Sequence, residues 1–98
     1  MTSKQRSYLK GLAMTTDPIF QIGKSSLTPE ITNAIEEALC ARELIKISVL
    51  KNCFDDINGM AAQLAERTHS QVVQVIGRKI VLYRPFKDKE KRKIILPN

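Results

Sequence analysis

Between Pro29 and Leu50 the apolar residues change their period, and that change limits the chain to a small set of folds. Ile31, Ala34, Ile35, Ala38 and Leu39 recur at i, i+3, i+4, i+7 and i+8, with Thr32, Asn33, Glu36 and Glu37 off the stripe. This is the spacing of a helix with one buried face, and it predicts a helix from Pro29 to about Arg42. From Leu44 to Leu50 the period falls to two. Ile45, Ile47 and Val49 share one face and Lys46 and Ser48 the other, as in a half-buried strand. Upstream, Ile19 to Ile22 reads as a short first strand. Strands linked through a helix favour a parallel pair joined by a crossover.

The pattern extends in both directions. Residues 3–14 predict a short helix capped by Ser3. Tyr8, Leu9, Leu12 and Ala13 lie on one side, and Arg6 and Lys10 form an i, i+4 pair turned away from its centre. Thr15-Thr16-Asp17-Pro18 then breaks the period. Asn52 to Asp56 read as a connection ending in a cap, before a second amphipathic helix carrying Ile57, Met60, Ala61, Leu64 and Ala65. Gly59 weakens that helix by about 1 kcal/mol relative to alanine. Gln71 to Ile76 and Lys79 to Arg84 are strands, and Gly77-Arg78 between them has the length of a hairpin turn. Glycine in its first position suits a type II′ turn. The order α-β-α-β-α-β-β predicts one layered α/β (α+β) domain with a mixed four-stranded sheet over residues 1–86. Residues 87–98 are expected to form a basic, exposed tail, with Ile94-Ile95-Leu96 free to dock back.

A hydrophobic fraction of 43% with 27% charged residues fits a folded chain rather than a disordered one. No apolar run approaches the roughly 18 residues that span a bilayer. The opening Met1-Thr2-Ser3-Lys4-Gln5-Arg6 is basic without an apolar core, so the expected location is the cytoplasm. Cys40 and Cys53 read as reduced thiols, and His69, the only histidine, has no Cys/His cluster around it, so no metal site is expected. Catalysis has no constellation to stand on. Ser70 beside His69 lacks a third partner, Glu36-Glu37 and Asp55-Asp56 suit a helix surface and a helix cap, and no G-x-x-x-x-G-K-S/T loop is present. The chain is therefore not expected to be an enzyme or to need a cofactor.

Charge is unevenly placed. Residues 1–76 carry eight basic and eight acidic side chains, so the net charge of +6 falls entirely on residues 77–98. A basic end of this kind favours a polyanionic partner, through phosphate neutralisation and counterion release. A second basic feature is local. Ile19 to Ile22 leads into Gly23-Lys24-Ser25-Ser26, and Thr28-Pro29 then opens the helix as cap and first residue. Free amides at a helix start beside an ammonium suit a phosphate. Lys24 is the leading contact, with Gly23 for close approach and Ser25 and Ser26 as phosphate ligands or capping groups. Arg6, Lys10, Lys46, Arg78, Lys79 and Arg84 are further candidates, each also readable as an ordinary surface charge. Aromatics are sparse, and Phe20 and Tyr83 read as core, so backbone or shape recognition fits better than a platform of stacked bases.

Taken in order, several segments resemble one family. They are Lys4-Gln5-Arg6, Pro18-Ile19-Phe20-Gln21-Ile22-Gly23-Lys24, Leu27-Thr28, Glu43-Leu44-Ile45-Lys46-Ile47 and Gln74-Val75-Ile76-Gly77-Arg78-Lys79-Ile80-Val81-Leu82-Tyr83-Arg84. Together they look like the CRM domain (chloroplast RNA splicing and ribosome maturation) in its bacterial stand-alone, YhbY-like form. The resemblance implies a fold similar to the C-terminal domain of translation initiation factor three. It also implies RNA binding and association with precursors of the large ribosomal subunit; the chain itself is expected to be a monomer. The family's G-x-x-G loop, similar to the backbone clamp of KH domains, falls on Gly23 to Ser26, with serine at the second glycine position. Two other readings stand beside it: a protein-docking adaptor with a basic tail, and a non-specific nucleic-acid binder.

Overall fold

A computed structural model of the chain describes residues 1–97. Helix α1 spans Ser3–Met14, and Thr2 rather than Ser3 caps it. Thr2 Oγ1 accepts from Gln5 N at 3.1 Å while Gln5 Oε1 accepts from Thr2 N at 3.0 Å, so a capping box holds the helix at its expected start with the cap one residue earlier. Strand β1 is Phe20–Ile22 and helix α2 is Pro29–Ala41, capped by Thr28 Oγ1 on Ile31 N at 3.2 Å. Strand β2 is Leu44–Val49 and helix α3 is Ile57–Thr68. Asp56 caps α3 by accepting from Gly59 N at 3.1 Å, and a Cβ on Gly59 would lie 3.2 Å from that carboxylate. The glycine that weakens the helix also leaves room for its cap. Strands β3, Gln71–Ile76, and β4, Lys79–Tyr83, complete the sheet.

The sheet runs β1-β2-β4-β3. β1 and β2 are parallel, and β4 is antiparallel to both β2 and β3. β2 and β3 thus point the same way, joined through α3, with β4 inserted between them. Ile76 pairs with Lys79 across a two-residue turn. Gly77 has φ of 57° and Arg78 has no positive φ, as the expected II′ turn requires. A bulge interrupts β3 between Val72 and Gln74.

Alternation along the strands gives each sheet face its own core. Ile45, Ile47, Val49, Ile80 and Leu82 pack with Ile35 and Leu39 of α2 and Met60, Ala61 and Leu64 of α3. On the other face Leu44, Val81 and Tyr83 pack with Leu9 and Ala13 of α1. Phe20 packs at the edge of the first core, whereas Tyr8 is exposed on the outside of α1 rather than inward. Burial lifts the Tyr83 phenol above its ordinary pKa; the Glu43 carboxylate adds to the shift and Arg92 opposes it. In the unfolded chain Tyr83 ionises near pH 10. Its contribution to stability is therefore complete below pH 10 and lost as pH rises through the higher folded value. Unfolding in denaturant across the alkaline range should show the wild type losing stability above pH 10 more steeply than Tyr83→Phe. Parallel curves would rule the linkage out.

The segment after β4 returns to α1. Glu43, at the joint between α2 and β2, is buried, and its carboxylate takes three backbone amides. Oε1 accepts from Lys93 N at 2.6 Å and Ile94 N at 3.1 Å, and Oε2 from Phe86 N at 3.3 Å. The Glu43 carbonyl also accepts from Arg84 N at 2.8 Å. Held there, Ile94 and Leu96 pack into the α1-side core, while Lys87, Lys89, Lys91 and Lys93 stay exposed. Arg92 Nε donates to Phe86 O at 2.7 Å, and Gln5 Nε2 donates to Pro97 O at 3.2 Å.

Candidate nucleic-acid interface

The link from β1 to α2 is a tight turn. Ser26 N donates to Gly23 O at 2.9 Å, leaving Lys24 and Ser25 exposed at its tip. Ser26 has φ of 56°, so the residue that stands for a glycine adopts the conformation glycine favours. An L-residue there is strained by roughly 1 kcal/mol. Ser26→Gly should raise the unfolding free energy by about 0.5–1 kcal/mol, read from the urea midpoint. A fall would mean the serine hydroxyl supports the loop. Thr28, not either serine, caps α2, and among the described residues neither serine hydroxyl of this loop has a hydrogen-bond partner. Gly23 lacks a left-handed φ, and a Cβ there would meet Asn52 Oδ1 at an ordinary 3.4 Å. The protein's own packing does not demand glycine at this position.

Asn52 belongs to the loop between β2 and α3, which Arg78 fastens to the hairpin. Arg78 Nε donates to Val49 O at 2.9 Å, and Nη2 donates to Leu50 O at 2.5 Å and Cys53 O at 2.9 Å. Its guanidinium therefore braces the loop that lies against Gly23. Lys79 follows on the α1 side of the sheet, in a row with Gln21, Ser48 and Ile76 that crosses all four strands. α1 covers only part of that face. In the groove beside it stand Lys10 and Lys46, with Lys46 Nζ donating to Ala13 O at 3.2 Å, in the last turn of α1. The ammonium thus offsets the negative end of the helix and keeps donors free for the groove.

Gly23, Lys24, Ser25, Ser26, Arg78 and Lys79 thus share the hairpin end of the sheet, and Lys10 and Lys46 extend it along α1. Arg84 lies at the other end of β4, about 17 Å away at roughly 3.4 Å per residue. Its guanidinium donates to Glu36 Oε2 and Thr68 O, both at 2.7 Å, tying the middle of α2 to the end of α3. Arg6 Nη1 donates to Val72 O at 2.7 Å and Val73 O at 2.8 Å, where the β3 bulge turns carbonyls out of the ladder. Sequence reasoning read Asn52 to Asp56 as a connection ending in a cap but did not place it beside the turn, and no local signal marked Phe54 as 93% exposed.

Among the described residues no helix is long and apolar enough to cross a membrane, and no three His, Cys, Asp or Glu gather as a metal site. A model of the CRS1 / YhbY (CRM) domain matches residues 1–84. The chain belongs to the CRM family. Among its relatives, the "Probable RNA-binding protein YqeI" of Bacillus subtilis is 46% identical over 99% of both chains. The "RNA-binding protein" of Haemophilus influenzae is 36% identical over 99% of this chain and 95% of its own. The solution structure of SAV1595 from Staphylococcus aureus superposes with a TM-score of 0.80, at 47% identity over 99% of each chain. The CRM fold is therefore common to this chain and a solved relative, and its expected layered α+β architecture is the observed one.

Proposed function

We propose that this CRM protein binds RNA, specifically ribosomal RNA in precursors of the large subunit, through the hairpin end of its sheet. The observation that carries the reading is that Lys24 and Lys79 lie at the same end of the sheet, with Lys10 and Lys46 in the groove along α1, beside a turn whose serine hydroxyls are unengaged among the described residues. The names of the YqeI and Haemophilus relatives support RNA as the polyanion. In this reading Lys10, Lys24, Lys46 and Lys79 contact phosphates, Ser25 and Ser26 add hydroxyl donors, and Gly23 leaves the backbone open to the strand. Arg78 shapes the site from behind. Arg6 and Arg84, engaged on carbonyls and on Glu36, hold the scaffold.

Four lysines, each neutralising one phosphate, should give a log affinity falling with log salt at a slope of about −3. Co-sedimentation from gently lysed cells on a low-salt gradient should place the protein with large-subunit precursors. Protein staying at the top of the gradient would sink the ribosomal assignment. Equal affinity for matched duplex DNA would reduce the function to non-specific binding, and a flat salt response would favour the adaptor.

A further inference from the structure

We propose that Phe54 stacks on one unpaired base of the RNA held at the Gly23–Ser26 turn, an inference that rests on the RNA-binding reading above. Phe54 is 93% exposed, whereas Phe20 and Phe86 are half-buried. Single apolar side chains are common on protein surfaces. What separates Phe54 is how it is held and what lies beside it.

The backbone on both sides of the ring is fixed. Cys53 N donates to Leu50 O at 3.0 Å, Arg78 grips the carbonyls of both residues, and the Cys53 side chain is buried. Two residues on, Asp56 caps α3. The ring therefore projects from an ordered loop, and little further ordering is needed when a partner arrives. Its neighbours reach the turn on both sides: Asn52 is what a Cβ on Gly23 would meet, and Asp55 shares a surface hollow with Ser26.

Charge selects the occupant. Asp55 and Asp56 are exposed carboxylates next to the ring, and they repel a phosphate placed directly over it. Lys24 and Lys51, also exposed, attract one nearby. A neutral planar base on the ring, with its phosphate turned toward the lysines, meets both conditions. Base–aromatic stacking of this kind tolerates any base, because each has a π face. Inside a continuous duplex each base pair is covered on both faces by its neighbours, so away from the ends Phe54 adds affinity only where a nucleotide is unpaired.

The test compares a blunt RNA duplex with the same duplex carrying a short 3′ overhang that contains 2-aminopurine. Wild-type protein should bind the overhang duplex at least about fivefold more tightly, the lower end expected for one stacked base, and quench its fluorescence. Phe54→Ala should lose the preference while keeping its affinity for the blunt duplex and its thermal midpoint; Phe54→Tyr should keep the preference. Wild type binding both probes equally, or Phe54→Ala matching wild type, overturns the stacking role and leaves RNA binding standing. An equal loss on both probes in Phe54→Ala also overturns it. Wild type binding neither probe overturns both readings.

Discussion

Replacing Glu43 with alanine is expected to lower the unfolding free energy by about 3 kcal/mol, the largest effect of any single substitution considered. The carboxylate accepts from the amides of Phe86, Lys93 and Ile94, and an alanine methyl offers none of them an acceptor. Leaving a buried donor unmatched costs about 1–3 kcal/mol. The three penalties do not simply add, because the tail can lift off and return its amides to water. That escape surrenders the packing of Ile94 and Leu96 against the α1-side core. Either route loses several interactions at once. Urea unfolding would read the loss, and hydrogen exchange would locate it, since the amides of Lys93 and Ile94 should be protected in the wild type and fast in the variant. Glu43→Gln keeps one acceptor oxygen and turns an NH2 toward donors, so it should fall between the two. A midpoint unchanged in Glu43→Ala would mean the clamp contributes nothing.

Lys24→Glu is expected to weaken RNA binding about 10- to 100-fold at low salt while leaving the fold intact. Lys24 is exposed at the tip of the turn, and among the described residues it makes no ion pair, so folding loses nothing with its charge. Binding loses one phosphate contact and gains a repulsion at the same point. Because part of this effect is Coulombic, the gap between variant and wild type should narrow as salt is added. Lys24→Gln isolates the lost contact and should make the salt slope shallower by about 0.7. Arg84→Ala is the opposite control, because Arg84 joins the middle of α2 to the end of α3 far from the turn. It should lower stability and leave the salt slope unchanged. If Lys24→Glu binds RNA as tightly as wild type, the turn is not the phosphate site.

Much of the scaffold was legible because its causes are local. The stripe from Ile31 to Leu39 and the alternation from Ile45 to Val49 each encode a buried face within a few residues. Thr28, Asp56 and Gly77 lie where caps and turns need them. Thr2 was missed as the first cap because Ser3 is chemically as good, and only Gln5 reaching back separates them. Glu43 was opaque for a different reason. Its partners are the backbone amides of Lys93 and Ile94, about half the chain away, and a buried carboxylate reads in sequence like any solvated glutamate. Arg78 and Arg6 were likewise readable only as basic side chains, since the carbonyls they hold come from other elements. The candidate site divides along the same line. The turn from Gly23 to Ser26 was visible from the helix start that follows it, but the loop bearing Phe54 comes beside it only through tertiary packing.

The Glu43 clamp also sets the order in which the protein can be completed during synthesis. The core beneath α2 and α3 has all its strands once Leu82 has emerged, but the α1-side core still lacks Ile94 and Leu96. At about 5–20 residues per second, the stretch from Tyr83 to Leu96 takes roughly one to three seconds to make. Until that stretch docks, the core beneath α2 and α3 is complete while the α1-side core lacks two of its apolar side chains. Of the two cores, the one beneath α1 is therefore the later to close, because it draws on the segment that follows the sheet.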